Sequence, residues 1–410
     1  MRVFFVCFSL MFSVQLNAQI EVEAEKFPFN QIVEWKNNGS LLVSSDPKDK
    51  VRDVEVVLLD NSGELNWRKL IYPSHSKPSI IVSESSNYIY FIDHFKVENN
   101  KFSYIQINRS GSVVSTNFDL LKVVRSYGYT IPNELVVEEV VNTPKALVFH
   151  FTLEVKDKNI IENFFVTITH HNNRMYHSQG KNTHPDFVAD GKEGLFNYAG
   201  SDEENIYFSR LIKQGGKHRV HFYPITPKAK QGNEYSFSLS TDFNPIYSEI
   251  INHNLCGSYY QKVLNKKVIE RFGVGLYANN RFYYVANDET DKCVKIFGAD
   301  QDGEIDVLNE CNNPADKSRK YDAKIKWIDC RNRVLILSEI EGKTNVYSEF
   351  NSKIEHYKSE NLNLNILQIN PSRPSLENKS TNFVHLVGDK TYSFDLNQLG
   401  QSKKVVFNEQ

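Results

Sequence analysis

Apolar and polar residues alternate along most of this chain with a period of two. In "LVFHFTLEV" (147–155), Leu147, Phe149, Phe151, Leu153 and Val155 fall on one face, and Val148, His150 and Thr152 on the other. In "FFVTITH" (164–170), Phe164, Val166 and Ile168 alternate with Phe165, Thr167 and Thr169. A helix would need apolar recurrence at three and four positions. Tyr, Phe, Ile and Val suit a pleated surface, so the pattern predicts strands throughout and no long helical face.

The strands come in pairs with a common grammar. A first run appears as "SLLVSS" (40–45), "YIYFID" (88–93), "ALVFHF" (146–151), "NIYFSR" (205–210), "RFYYVAN" (281–287), "RVLILSE" (333–339) and "NFVHLVG" (382–388). A second run follows each after a short polar turn, and successive first runs lie about 50 to 75 residues apart. Four second runs end in an Asp/Asn-x-x-Gly turn: Asp60 to Gly63, Asn108 to Gly111, Asp300 to Gly303 and Asn397 to Gly400. The side chain of the first residue can accept backbone amides ahead of it, and glycine takes the left-handed position of a type I turn plus bulge. Each such turn is the tip of an outer hairpin in a repeating unit.

A unit of this kind is a small sheet with two apolar faces, which is unstable by itself. Stacked around a ring, each sheet buries its faces against its neighbours. The expected fold class is therefore all-β: a β-propeller of seven blades, each a four-stranded antiparallel sheet, with six or eight blades left open. The stretch "LLDNSGELNW" (58–67), in which Trp67 follows the turn glycine by four, resembles the quinoprotein-type and outer-membrane-assembly-type repeats of secreted bacterial β-propellers. That resemblance implies the architecture and no activity. Two stretches depart from the repeat: about 224–281, read as an insertion in a single domain spanning 19–410, and 125–142. Irregular loops on a rigid scaffold are where binding surfaces concentrate.

The first residues, "MRVFFVCFSLMFSVQLNAQI", add an address. Arg2, an apolar stretch to Leu16 and small Ala18 form the layout of a secretory signal over residues 1–18, cleaved after Ala18. The apolar stretch has about 14 residues, short of the roughly 20 that a membrane span needs. The expectation is export to the periplasm or the outside, with no transmembrane segment. Removing Arg2 with the leader changes the net charge from −2 to −3. Charges are interspersed, without the basic stripe that nucleic acid requires.

Export makes the cysteines informative. Cys256, Cys293, Cys311 and Cys330 remain after cleavage. Cys293 and Cys311 flank the turn "DQDG" near its midpoint, so in an antiparallel hairpin they face each other within bridging range. They are the disulfide candidates, with buried free thiols as the alternative.

Motifs with catalytic meaning are weak. "GVGLYA" places Gly273, Gly275 and Ala278 at dinucleotide-fingerprint spacing, but a strand follows where that motif needs a helix. "GKT" (342–344) lacks the earlier glycine of a phosphate loop. His170, His171, His177 and His184 suggest metal ligands, yet read better as solvated loop residues. "DQDGE" (300–304) has its glycine too early for an EF-hand. No cofactor and no metal is expected. Asp93 and Asp288 end first runs and either face a channel or cap strand ends. Two functions remain: a non-enzymatic binding or scaffold propeller of the cell envelope holding a protein or glycan partner, or a glycan-active hydrolase or lyase using channel carboxylates. Asn38, Asn108 and Asn378 head N-x-S/T triplets.

Overall fold

The computed structural model describes residues 19–409, leaving out 93–100, 130–134, 184–195, 251–258, 262–271, 309–323, 359–381 and several shorter turns. Its strands form seven sheets. In chain order, the first four are built on Phe29–Trp35, Gly39–Ser45, Val54–Leu59 and Leu65–Ile71; on Ser79–Ile81, Tyr88–Ile92, Lys101–Asn108 and Val113–Asp119; on Leu135–Asn142, Ala146–Val155, Ile160–Thr169 and Met175–Gln179; and on Asn197–Ser201, Ile206–Gln214, Lys217–Ile225 and Tyr235–Ser238. The fifth holds Gly275–Ala278, Arg281–Asp288, Cys293–Ala299 and Ile305–Val307, and the sixth Lys324–Cys330, Arg333–Ile340, Lys343–Phe350 and Lys353–Lys358. The seventh joins the first and last described strands: Asn382–Val387, Lys390–Asp395 and Lys404–Glu409, then Gln19–Glu23 paired antiparallel to the last of them.

Alternation explains why the sheets stack. From the strand Val54–Leu59, Val54, Val56 and Leu58 pack toward the second sheet, while Val57 and Leu59 pack toward the seventh. In the third sheet, Leu147, Phe149, Phe151 and Leu153 pack on the second sheet, and Ala146, Val148 and Phe165 on the fourth. A further core joins the fourth sheet to the fifth through Tyr207, Phe222, Phe282 and Tyr284. Sheets packed face to face in chain order, with the first strand completing the last sheet, make a β-propeller.

The expected turns form as the sequence predicts. Around Asp60, Gly63 N donates to Asp60 O (3.0 Å), Asp60 N donates to Glu64 O (2.9 Å), and Asp60 Oδ1 accepts Ser62 N and Glu64 N. Asn108 and Asp300 repeat the pattern, and Gly63, Gly111 and Gly303 have φ of 80°, 78° and 93°. Gly400 differs: it too is left-handed, at 73°, but its N–H donates to Phe29 O in the first sheet. The fourth sheet carries a disguised copy. Thr226 N donates to Lys230 O, Ala229 N donates to Thr226 O, and Thr226 Oγ1 accepts Lys230 N. Threonine stands for Asp, and Ala229 occupies the glycine position at φ 54°.

That turn and the strand Tyr235–Ser238 lie inside 224–281, so both described ends of that stretch belong to regular sheets. Between them, Phe243–Pro245, Ser248–Ile250, Tyr259–Gln261 and Phe272–Gly273 extend the fifth, sixth and first sheets on the side of their first strands. Among the described residues, one short α-helix, Leu120–Ser126, interrupts the pattern of strands; the period-two alternation did not predict it.

Candidate functional site

The helix carries the chain from the second sheet to the outer strands of the third. Asp119 caps it, its Oδ1 accepting Leu121 N at 2.9 Å. Leu120, Val123 and Val124 are buried in the core between the two sheets. Gly128, at φ 89°, ends the turn after it and donates to Arg125 O. The backbone then lays two half-buried tyrosines on the third sheet. Tyr127 Oη lies 3.0 Å from His177 Nδ1, and its ring sits 5.6 Å from that of Phe164. Tyr129 Oη donates to Glu162 Oε1 at 2.6 Å, while Gln179 Nε2 donates to Glu162 Oε2 at 2.8 Å and to Tyr129 Oη at 3.2 Å. Burial, and then Glu162, pushes the Tyr129 phenol up to about 12. The result is a rim in which two phenols from the 125–142 irregularity meet an imidazole, a carboxamide and a carboxylate on the outer strands of the third sheet.

Among the described residues, His170 alone departs from the reading of these histidines as solvated loop residues. It is 4% exposed and sits in the seam between the second and third sheets. Its Nε2 lies 2.8 Å from Thr143 O, an acceptor only, so Nε2 carries the proton. Nδ1 therefore accepts from Tyr90 Oη at 2.5 Å, and Gln106 Nε2 donates to the same hydroxyl at 2.7 Å. Ser86 Oγ is 3.3 Å from Nε2, and the Tyr88 ring stacks at 5.0 Å. Burial holds the imidazole down at about 4, with the Thr143 carbonyl offsetting part of the effect. His171 and His177 are exposed, and His184 lies outside the described residues.

Two further polar clusters escaped the sequence reading. In the fourth sheet, Glu234 meets His221 Nδ1 (2.9 Å), Arg210 Nη2 (3.4 Å) and Lys181 Nζ from the third sheet. Between the fourth and fifth, Tyr207 and Tyr277 both donate to Asp202 Oδ2, at 3.0 and 2.9 Å. Partners up to 75 positions apart, in segments with no shared motif, left no sequence signal.

Asp288 is buried and its Oδ1 accepts Thr290 N at 2.9 Å, a strand-end cap. Asp93 lies outside the described residues. Cys293 opens its strand; Cys311 also lies outside them. Asp300 spends its Oδ1 on the turn. Gly275–Ala278 is a hairpin strand paired with Arg281–Asp288, the geometry opposite to a dinucleotide turn. Asn38 is buried, so its triplet offers no open acceptor on the folded chain. Among the described residues, no three His, Cys, Asp or Glu side chains converge as metal ligands. No described helix is long and apolar enough to cross a membrane.

No family model matches the chain, and no curated protein does. Among solved structures, Porphyromonas gingivalis dipeptidyl peptidase 4 is similar at 8% identity and a TM-score of 0.44, over 89% of this chain and 50% of that one. Pyrococcus horikoshii acylaminoacyl peptidase is similar at 11% and 0.41, over 90% and 49%. The β-propeller domain of the Trilobed protease from Pyrococcus furiosus is similar at 10% and 0.33, over 82% and 96%. The chain spans about half the length of the two whole peptidases. At such scores none of them bears on the site.

Proposed function

We propose that this chain is an exported, non-enzymatic binding or scaffold propeller of the cell envelope. It holds a protein or glycan partner on the rim of the third sheet. The supporting observation is the segment 120–129, which leaves the repeat to seat Tyr127 and Tyr129 beside Glu162, His177 and Gln179. Aromatic faces next to amide and carboxylate groups suit a glycan first, since sugars offer both C–H faces and hydroxyls. The channel reading has less support: Asp288 caps a strand, and short strands from 224–281 run along the inner edges of three sheets.

The test is retention of the protein on a panel of immobilised envelope glycans and envelope proteins. The native chain should be retained, and the double variant Tyr127→Ala, Tyr129→Ala should lose that retention while keeping its melting temperature within a few degrees. Equal retention of both would reject this surface. Release of reducing sugar from a polysaccharide would favour the hydrolase or lyase instead.

Export rests on the layout of residues 1–18, in which Arg2, an apolar stretch and small Ala18 stand in the order of a secretory signal. A Cys293–Cys311 disulfide belongs to the same reading. In the described part of that hairpin, Phe297 pairs with Val307, Gly298 with Asp306 and Ala299 with Ile305. Non-reducing peptide mapping of the exported protein should recover the two cysteines in one linked peptide.

A further inference from the structure

The tie at His170 is complete in only one protonation state. Neutral imidazole donates from Nε2 to Thr143 O and accepts at Nδ1 from Tyr90 Oη. A proton added at Nδ1 points at an oxygen that already accepts from Gln106 Nε2, and the phenol's own proton then loses its acceptor. Few groups are placed to relieve this. The second sheet presents Tyr88, Tyr90 and Gln106, with Ser86 from the turn before them and Tyr104 behind Tyr90. The third sheet presents Thr143 and the carbonyl of Lys145, whose ammonium pairs with exposed Glu203. Neighbouring His171 is exposed. No carboxylate bonds the ring among the described residues, so nothing there stabilises an imidazolium.

We propose that His170 is an acid-operated latch: proton uptake at Nδ1 parts the seam between the second and third sheets and frees the segment 120–129 before the ring as a whole unfolds. Tyr90 belongs to the same buried cluster as Leu120, Val123 and Val124, so loss of its hydrogen bond reaches the helix through that shared core. The latch regulates the rim named above, and that consequence rests on the binding reading; the opening itself does not.

The sign follows from burial. The closed imidazole titrates at about 4, against an ordinary value of 6.5. The open state therefore binds more protons between those values, and closure weakens as pH falls through that window.

Hydrogen exchange, corrected for intrinsic rates, tests this on the full chain. From pH 7 to pH 4.5, amides in Tyr88–Ile92, Leu120–Ser126 and Leu135–Asn142 should lose protection by about tenfold or more relative to Phe29–Trp35 and Gly39–Ser45. His170→Asn offers a neutral acceptor and donor and should abolish the difference. A uniform change across both regions in the native chain would overturn the latch, as would the same local loss in the Asn variant. Should that variant fail to fold, the native comparison between the two regions decides. Failure of glycan or protein binding leaves this readout untouched, so the two proposals fail separately.

Discussion

Ala229 does a glycine's work without a glycine's freedom. Its φ of 54° puts Cβ against its own backbone, a conformation that costs an L-residue about 1–2 kcal/mol. Gly63, Gly111 and Gly303 avoid that cost at the equivalent position. Ala229→Gly should therefore stabilise the protein by about 1 kcal/mol, and Gly63→Ala should destabilise it by a similar amount, both read as urea midpoints. Gly200 answers to a different constraint: a Cβ there would lie 2.1 Å from Tyr277 O, where the fourth and fifth sheets approach backbone to backbone. Glu234 makes a pH prediction. Burial raises its pKa, but hydrogen bonds from His221 and Lys181 and the Arg210 charge outweigh this and hold it at about 2. A lowered carboxylate contributes stability that is complete above about 4.5 and lost as pH falls to 2. The fall in urea midpoint between pH 5 and pH 2.5 should be smaller in Glu234→Gln than in the native chain.

At the scale of elements, the repeat works by handing side chains from one sheet to the next. Trp67, on the outer strand of the first sheet, donates Nε1–H to Arg109 O in the turn of the second at 3.0 Å. A Cβ on Gly111 would meet the Trp67 ring at 3.0 Å, so that turn glycine also makes room for the neighbouring sheet. Trp35 repeats the device one turn away, donating to Ser86 O at 2.9 Å. Trp67→Phe keeps most of the packing and removes the bond, so it should cost about 1 kcal/mol, whereas Trp67→Ala should cost about 3–5 kcal/mol by chemical denaturation. The helix was legible in hindsight. Asp119 precedes Leu120, Val123 and Val124 at helical spacing, and Gly128 follows, but the segment is shorter than the window over which period-two alternation dominates its surroundings.

The whole molecule depends on the pairing of its first and last described strands. Gln19–Glu23 pairs with Lys404–Glu409 from Gln19 against Asn408 to Glu23 against Lys404, and Val22 and Ala24 enter the core between the seventh and first sheets. Arg68 reinforces the junction, reaching Glu23 O at 2.8 Å and Glu55 at 3.0 Å. Deleting residues 19–23 should leave the seventh sheet short of its closing strand. The melting temperature should fall by several degrees, with exchange rising first in Lys404–Glu409. An unchanged melting curve would mean that closure adds nothing.

Much of this ring was written in the chain itself. Alternation with apolar residues on both faces of "LVFHFTLEV" required sheets buried on two sides, and Asp60, Asn108 and Asp300 with their glycines marked where each outer hairpin turns, because those are local steric and hydrogen-bonding needs. Local pattern carries no information about which residues meet across a seam. His170 looked like a solvated loop residue until the second sheet closed over it with Tyr90 and Gln106, and Thr226 with Ala229 looked like an irregular loop until its hydrogen bonds matched the repeat. Burial and partnership between distant segments are properties of the assembled ring, so only the tertiary structure decided them.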